Sequence, residues 1–569
     1  MFLNLIPFIF YPLILLFSVL GYGMVFRSLI FKKIEVLNLS LIGFFGLFFM
    51  YLLSFFSHLF VPHNFLHNIF FHIIGLSLFF YFKSEINKKE LKIIILFFFT
   101  LFLGFIISKT NEDFPFYHLP LSLHLAEQKI QFGLGNLNFA YNHWSSLFLL
   151  NSLYYLPFVE IYLFNLPNFF IQIFFFSALI MFLLDKETPI FGTILSSFVL
   201  IVFITKFNRL AEYGVDFGGQ LLVALSIILC SFAIFKDKKN IDNKSLFLFE
   251  VSFILMVFAI TTKVLYSIYT IIPIVLILFN FKFKTIFSYF FKVKFIIIST
   301  LGISTFIFYN FATSGCLVYP ISSTCFYNEI SWTMREETIN HLRTHYNAWS
   351  KGGILAGNLL SEGVSSIESY VSNLYWIKNW FKVYFFTKVS DFILLVIFIK
   401  LLIIVIFKKF FIKKILIPKK DIKLFKLFYL LILIVFSIWF LNFPTLRYAG
   451  YSIVFFSLAL PFCFFISYKI RLNNKVIKKR YTYLLIFAIL IFNLRNVDRI
   501  NNELSLKFNE HHNFSNFPFY WIKETEYKKN NFFNSLTSGS SCWATPSVCS
   551  SGDNIRIENK NGFLMYIVE

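Results

Sequence analysis

Long apolar runs recur along the whole chain, and they constrain its fold more than any other feature. Many approach about 18 residues, and an α-helix that rises 1.5 Å per residue needs about 20 residues to cross the hydrocarbon of a bilayer. The 569 residues are 58% hydrophobic and only 14% charged, whereas a soluble protein carries about 25% charged residues. The sequence therefore predicts an all-α fold, a polytopic transmembrane helical bundle of about 14 spans.

The distribution of basic residues predicts how the bundle is oriented. The formal net charge is +22, but the basic residues cluster in short loops between apolar runs, as cytoplasmic loops do, rather than in a nucleic-acid-binding domain. If spans alternate between these loops, both termini and most uncommon polar residues lie on the non-cytoplasmic side. The external segments are then 109–143, 206–216, 262–263, 313–390, 442–448 and 496–569.

One apolar stretch does not fit this alternation as a full span. Both flanks of Trp144–Phe164 must be external, and the stretch contains Asn151, Pro157 and Glu160. These residues suit an interfacial or re-entrant helix. The stretch Glu362–Phe386 looks amphipathic, and we expect it to lie at the membrane interface as well.

The same pattern divides the chain into three parts. Residues 1–90 form additional N-terminal spans, and residues 91–495 form a membrane core with external loops at 109–167 and 313–390. Residues 496–569 are polar and form a small external C-terminal domain or a flap on the membrane part. This tail ends in an apolar run, 563–568, that could form a short strand.

Six cysteines fall into two classes. Cys230 and Cys463 lie inside predicted spans, where a free thiol acts as a small hydrophobic group. The remaining four are external and form two close pairs. In an oxidising compartment each pair could close a small disulfide loop, and the alternative is that the thiols stay reduced and merely pack. These pairs are Cys316 with Cys325, and Cys542 with Cys549.

Carboxylates at external ends of spans are candidates for chemistry. Glu112 and Asp113 follow the fourth span, and Tyr117 and His118 come just after them. A carboxylate placed there can accept a proton from a hydroxyl nucleophile or hold a metal ion. The alternative is a solvated helix end.

A second acidic group lies farther along the chain. Glu212 and Asp216 are four residues apart, so they share a face if the segment is helical. Arg209 stands beside them, and a simple interfacial ion pair is the alternative to a binding role.

Two isolated cations lie outside against the general charge trend. Lys263 stands at the turn between two short spans, and Arg447 precedes a span. A planar guanidinium suits a phosphate, whereas a snorkelling lysine is the structural alternative. Cations and carboxylates on one membrane face suit a reaction between an anionic, membrane-anchored donor and an acceptor that carries a hydroxyl or amine.

The run from Asp113 to Pro120, Asp-Phe-Pro-Phe-Tyr-His-Leu-Pro, opens a long external loop with interfacial helices. In this it resembles the C-type (GT-C-like) superfamily of polyprenyl-phosphate-dependent glycosyltransferases, and the pair Tyr319-Pro320 is also similar to such bacterial membrane proteins. The resemblance covers the architecture of roughly residues 91–468. Three spans precede the one that ends at the acidic pair, where the family usually begins with its first span.

The resemblance implies transfer of a sugar from a polyprenyl-phosphate donor to a glycan, lipid or protein acceptor at the outer face of a bacterial inner membrane. Asp113 would be the catalytic base, with Glu112 beside it. The partners would be the lipid-linked donor and membrane lipid, and no nucleic acid. The residues expected to bind substrate are Tyr117, His118, Arg209, Glu212, Asp216, Lys263 and Arg447.

Other functions are left open by the sequence. A lipid-linked glycan polymerase or ligase would use external arginines more than Asp113, and a transporter or flippase would need no chemistry. The chain has no Walker A pattern that would support ATP-driven transport. No cofactor is certain from the residues, and a divalent metal remains an open alternative.

Overall fold

The structure is a computed structural model, and it describes most of the chain. The described residues are 2–31, 37–106, 113–210, 214–235, 243–290, 292–353, 366–412, 417–470, 474–505, 528–529, 536–537, 542, 545–550 and 555–569.

Four long helices open the chain, and asparagines define where three of them begin. The side chains of Asn38, Asn64 and Asn87 each accept a backbone N–H from the first turn that follows, which satisfies a donor that the helix itself leaves unpaired. Helix α1 packs closely on α2 and α3, and a Cβ on Gly21 would lie 2.0 Å from the carbonyl oxygen of Gly75. The helices are α1 (Phe2–Ile30), α2 (Leu39–His58), α3 (Phe65–Tyr81) and α4 (Lys88–Phe105).

Short helices form the layer between α4 and the next long helix. They are a π-helix (Phe114–His118), α5 (Leu119–Glu127), α6 (Leu134–Leu137), a 3₁₀-helix (Phe139–Asn142), α7 (Ser146–Ser152) and a second 3₁₀-helix (Glu160–Leu163). No continuous helix runs through Trp144–Phe164, since α7 has seven residues and is too short to cross a bilayer. All seven residues are buried, so α7 is enclosed by protein.

The centre of the bundle is helix α10. Every residue of α10 (Asp216–Ile234) is buried, and α10 packs most extensively against α11 (Asn243–Thr262). The middle helices are α8 (Leu166–Leu184), α9 (Ile190–Lys206), α10 (Asp216–Ile234), α11 (Asn243–Thr262), α12 (Ile271–Asn280), α13 (Phe283–Phe290) and α14 (Val293–Ser314), with a 3₁₀-helix (Val264–Thr270) before α12.

The last third of the bundle contains one helix that departs from expectation. From Trp376 the chain continues through a π-helix (Phe381–Val389) into α18 (Ser390–Phe407) without a break. The end of the stretch expected at the interface therefore belongs to a candidate span, Trp376–Phe410. Short 3₁₀-helices lie at Lys83–Glu85, Ser322–Thr324 and Lys408–Phe410. The remaining helices are α15 (Glu336–Ser350), α16 (Ile367–Ser372), α17 (Trp376–Trp380), α18 (Ser390–Phe407), α19 (Lys419–Asn442), α20 (Tyr451–Lys469) and α21 (Asn474–Ser505).

The protein is a helical membrane protein. Among the described residues, nine helices are long and apolar enough to cross a membrane, and three shorter apolar helices accompany them, Phe65–Tyr81, Ile190–Lys206 and Val264–Asn280. The total of about 14 spans stays a prediction, as does the orientation. The nine are Ile6–Ile30, Leu39–His58, Glu160–Leu184, Asp216–Ile234, Lys244–Thr262, Val293–Ser314, Trp376–Phe410, Lys419–Asn442 and Leu446–Lys469.

The C-terminal tail folds onto the layer of short helices. The apolar run that predicted a strand is β5, which pairs with β4 in an antiparallel hairpin. Phe132 exchanges backbone hydrogen bonds with Leu564 and Tyr566 of β5, at 2.9 and 3.0 Å. The strands are β1 (Lys528–Lys529), β2 (Leu536–Thr537), β3 (Cys549–Ser550), β4 (Ile555–Lys560) and β5 (Phe563–Val568), and β2 pairs with both β1 and β3.

Two disulfides join the cysteine pairs that the sequence singled out. Cys316 is bonded to Cys325 and Cys542 to Cys549, while Cys230 and Cys463 are free, buried thiols. The first disulfide lies in a small apolar cluster formed by Cys316, Tyr319, Met334, Ile339 and Leu342.

Candidate functional site

Four charged side chains from four separate segments meet at one end of the helix bundle. Arg447 Nε lies 2.5 Å from one carboxylate oxygen of Asp216, and the Arg447 guanidinium also bonds Asp113 through Nη2. Lys263 Nζ bonds the other carboxylate oxygen of Asp216. We call these four residues the charge quartet. The formal charges of its two carboxylates and two cations sum to zero.

Helix ends place the quartet. Asp216 is the first residue of α10, and Lys263 directly follows the last residue of α11. Tyr266 ties these two ends together, because its hydroxyl donates to the backbone oxygen of Asp216 at 2.7 Å. That approach requires Gly219, where a Cβ would lie 2.1 Å from the Tyr266 ring.

The segment that carries Arg447 is held by hydrogen bonds to its backbone carbonyls. Gln220 Nε2 donates to the oxygens of Leu446, at 2.9 Å, and Arg447, at 3.3 Å. Three other side chains also donate to backbone oxygens of this segment: Trp380 to Pro444, Trp439 to Thr445 and Tyr269 to Ala449. Because the four donor residues belong to different parts of the bundle, the backbone that carries the guanidinium is fixed from several sides.

The backbone beside Arg447 adopts an uncommon conformation. Ala449 has a φ of 60°, in the left-handed region that favours glycine, and it lies in a kinked segment, Leu446–Gly450, where the backbone of Tyr448 is also non-helical. A π-helical segment, Phe114–His118, begins directly after Asp113. Such segments and such strain concentrate at functional sites, where the surrounding structure holds them in place. Both sides of the Asp113–Arg447 pair therefore rest on irregular backbone.

Aromatic and imidazole groups surround the quartet. Lys263 Nζ lies 4.3 Å from the centre of the Tyr448 ring. Burial raises the pKa of Tyr117, and the nearby negative charge of Asp216 raises it further. Burial lowers the pKa of both His118 and His143 to about 3, and the positive charge of Lys263 contributes in each case. At neutral pH both imidazoles and the phenol are therefore uncharged.

The quartet is accessible from one side. The Asp216 side chain is 3% exposed, whereas those of Asp113 and Arg447 are 28% and 32% exposed. A partly exposed carboxylate next to a guanidinium can take a proton from a bound hydroxyl, and the guanidinium can bind an anion. Proton acceptance and anion binding are therefore both available at the outer edge of the quartet.

The structure brings together four of the residues that the sequence proposed, Asp113, Asp216, Lys263 and Arg447. Tyr117 and His118 lie buried in the π-helix directly after Asp113. Arg209 lies in the short connection after α9. Glu112 and Glu212 lie outside the described residues.

Several residues of the site were missed from the sequence. Gln220 lies inside an apolar span, and a polar residue at such a place is a signal that could have been used. Tyr448 and Tyr346 of α15, whose ring centre lies 4.7 Å from that of His143, carry no such signal, because a loop rich in aromatic residues is also typical of interfacial anchoring.

Within the described part of the chain, no three or more histidine, cysteine, aspartate or glutamate side chains are grouped so that they could hold a metal ion. The two carboxylates of the quartet instead share Arg447. The quartet is thus built around cations that belong to the chain.

Residues 5–455 match a protein family described as a domain of unknown function (DUF8201). The chain belongs to this family. No curated protein and no solved structure matches the chain. The region that defines the family contains all four quartet residues and ends inside α20, so α21 and the C-terminal tail lie beyond it.

Proposed function

We propose that this protein is a membrane glycosyltransferase that moves a sugar from a polyprenyl-phosphate donor to an acceptor at the outer face of a bacterial inner membrane. The observation that carries the proposal is the charge quartet at the end of apolar helices, in which the partly exposed carboxylate of Asp113 pairs with Arg447, and Arg447 and Lys263 share the buried carboxylate of Asp216. Asp113 acts as the general base toward the acceptor. Arg447 and Lys263 bind the donor phosphate.

Donor binding changes the partner of Arg447 in this mechanism. Without donor, Arg447 pairs with Asp113, and this contact stabilises the carboxylate as an anion and makes it a poor base. A donor phosphate competes for the same guanidinium, since bidentate pairing with phosphate suits its planar fork. Asp113 is then released toward the acceptor hydroxyl. Asp216 stays in place and keeps Arg447 oriented through Nε.

The test of this proposal is the variant Asp113→Asn, made at the native locus of a cell that produces the protein. Mass spectrometry of the lipid-linked and envelope glycans then compares variant and parent at equal protein level. We expect the product that depends on this protein to fall by about 100-fold or more, because a positioned general base contributes 10²–10⁴-fold. Normal product at normal protein level would show that Asp113 is not the base.

A matched control uses a carboxylate away from the quartet. Glu368 lies exposed on α16, so Glu368→Gln removes one negative charge without touching the four residues. We expect its product level to equal that of the parent. If Glu368→Gln lost as much product as Asp113→Asn, the loss would come from removing any negative charge and not from removing a base at position 113.

A further inference from the structure

Helix α15 extends from the first disulfide to the charge quartet and presents one continuous face along its length. Ile339, Leu342, Tyr346 and Trp349 follow the three- and four-residue spacing of one helix face. Ile339 and Leu342 pack into the cluster around Cys316. Tyr346 and Trp349 reach the residues that surround the quartet, so the face changes from aliphatic to aromatic at this point.

The aromatic part of this face is connected to the quartet by ring contacts. The Tyr346 ring centre lies 4.7 Å from that of His143, and the Trp349 ring centre lies 5.5 Å from that of Tyr448. Tyr448 in turn lies beneath the Lys263 ammonium. These four rings are partly exposed, although most residues around them are buried. They form an accessible aromatic surface next to the quartet.

Hydrogen-bonding groups lie at the edge of this surface. The hydroxyl oxygens of Tyr346 and Tyr319 are 3.3 Å apart. His118 is buried, and its Nε2 atom has no hydrogen-bond partner in the described part of the chain. A hydroxyl of a bound ligand would give this nitrogen the partner that it lacks.

The chemistry of these groups selects one ligand class. Aromatic faces carry partial negative charge and attract the C–H groups of a pyranose ring, while phenol and imidazole edges bond its hydroxyls. Burial raises the pKa of Tyr346 as it lowers that of His143, so neither group is charged at neutral pH. The cation that lies on this surface, Lys263 over Tyr448, belongs to the quartet and is assigned to the phosphate.

We propose that Tyr346, Trp349, Tyr448 and His143 form a binding site for a neutral pyranose. The inference rests on the proposed function and names the sugar class that the same site takes. The sugar lies against the aromatic surface, with its reacting carbon or hydroxyl toward Asp113. Specificity for neutral over acidic sugars comes from this surface, whereas the phosphate is held by the quartet.

The experiment measures binding without turnover. Saturation-transfer NMR is recorded on the full chain in phosphatidylethanolamine–phosphatidylglycerol nanodiscs, with methyl glucoside, methyl N-acetylglucosaminide and methyl glucuronide as probes. We expect transfer to the ring protons of at least one neutral probe, and at least about threefold less for the glucuronide. Absence of transfer to both neutral probes, or equal transfer to the glucuronide, would overturn the proposal.

Two variants locate the binding. Trp349→Leu should reduce transfer to the neutral probe at least about threefold. Trp332→Leu is the matched control, because Trp332 lies on the same loop but packs on Phe132, with ring centres 4.7 Å apart. Equal loss in both variants would contradict the assignment.

Tyr346→Phe covers the case in which Trp349→Leu fails to fold, since it removes one hydroxyl and keeps the ring. It should also weaken transfer to the neutral probe. Unchanged transfer in a folded Tyr346→Phe protein would remove that hydroxyl from the site and overturn this part of the proposal.

The outcome for Asp113→Asn separates the two proposals. If Asp113→Asn leaves product normal while Trp349→Leu loses probe binding, the base assignment fails and the sugar site stands. If Asp113→Asn abolishes product while Trp349→Leu binds the probe like the parent, the sugar site fails and the base assignment stands.

Discussion

Arg447 Nε lies 2.5 Å from a carboxylate oxygen of Asp216, although 231 positions separate the two residues in the chain. This contact joins the start of α10 to the segment before α20. Because Asp216 is almost completely buried, its charge depends on the two cations beside it. Removing one partner of a buried ion pair leaves an uncompensated charge, which is more costly than the pair itself.

Asp216→Asn should therefore destabilise the fold. The variant leaves Lys263 and Arg447 close together without the carboxylate between them, and we expect a loss of about 3–5 kcal/mol in the free energy of unfolding. This loss should appear as a lower thermal unfolding midpoint of the purified protein in detergent. Asp391→Asn is the control, because Asp391 is exposed at the start of α18. Equal midpoints for Asp216→Asn and the control would contradict a buried, mutually dependent quartet.

The sequence predicted the charged residues of the candidate site but not how they pair. Asp113, Asp216, Lys263 and Arg447 stood out because charges at the ends of spans that are predicted to be external need a reason. Their pairing was not predictable, because which cation meets which carboxylate depends on how α10, α11 and α20 pack. The contact of Arg447 with both Asp113 and Asp216 is therefore visible only in the three-dimensional structure.

More of the fold was predictable from the sequence, because the lengths of apolar runs and the positions of charges are read from short stretches of the chain. The broken stretch Trp144–Phe164 followed from charge alternation, and the C-terminal strand followed from its apolar run. The irregular segments were not predicted. The π-helices and the left-handed Ala449 depend on tertiary hydrogen bonds, such as that of Tyr269 with the Ala449 oxygen, and leave no periodic pattern in the sequence.

Acid should destabilise the layer of short helices between α4 and α8 through its buried histidines. Burial lowers the pKa of His124 to about 3, below the ordinary value of about 6.5. The unfolded chain therefore binds more protons between these two values, so this contribution to stability is full above pH 6.5 and is lost as the pH falls toward 3. Between the two pKa values, each such histidine lowers the free energy of unfolding by up to about 1.4 kcal/mol for each unit by which the pH falls.

His124→Asn tests this dependence, because asparagine can keep a bond to the Ser547 hydroxyl, which lies 3.3 Å from His124 Nδ1. Unfolding midpoints measured from about pH 7.5 down to about pH 4.5 should fall less steeply in the variant than in the parent. His341→Asn, which removes an exposed imidazole, is the comparison. Parallel curves for parent and His124→Asn would refute the contribution of His124.

The first disulfide should hold α15 in place. Cys316 and Cys325 are nine positions apart, and the cluster around them receives Ile339 and Leu342 of α15. Replacing both cysteines with serine should lower stability by about 2–4 kcal/mol and loosen the helix. Limited trypsin digestion followed by mass spectrometry should show faster cleavage after Arg343, which is exposed on α15.

The second disulfide supplies the control for that digestion. Cys542 and Cys549 lie in the C-terminal tail and form a cluster of their own, so their replacement should leave cleavage after Arg343 at the parental rate. Unchanged cleavage in the Cys316–Cys325 variant would mean that α15 is held by its other contacts.

The C-terminal hairpin should be coupled energetically to the layer of short helices between α4 and α8 through the side chains of Tyr566 and Gln131. The buried hydroxyl of Tyr566 donates to Gln131 Oε1 at 2.8 Å. A double-mutant cycle of Tyr566→Phe and Gln131→Ala should give a coupling energy of about 0.5–1.5 kcal/mol in unfolding free energy. Tyr566→Phe combined with Tyr429→Phe, whose hydroxyl bonds Ser457 in α20, should be additive within about 0.5 kcal/mol. A cycle with no coupling would mean that the tail docks through its other contacts, such as its backbone bonds to Phe132 and the contact of Ser547 with His124.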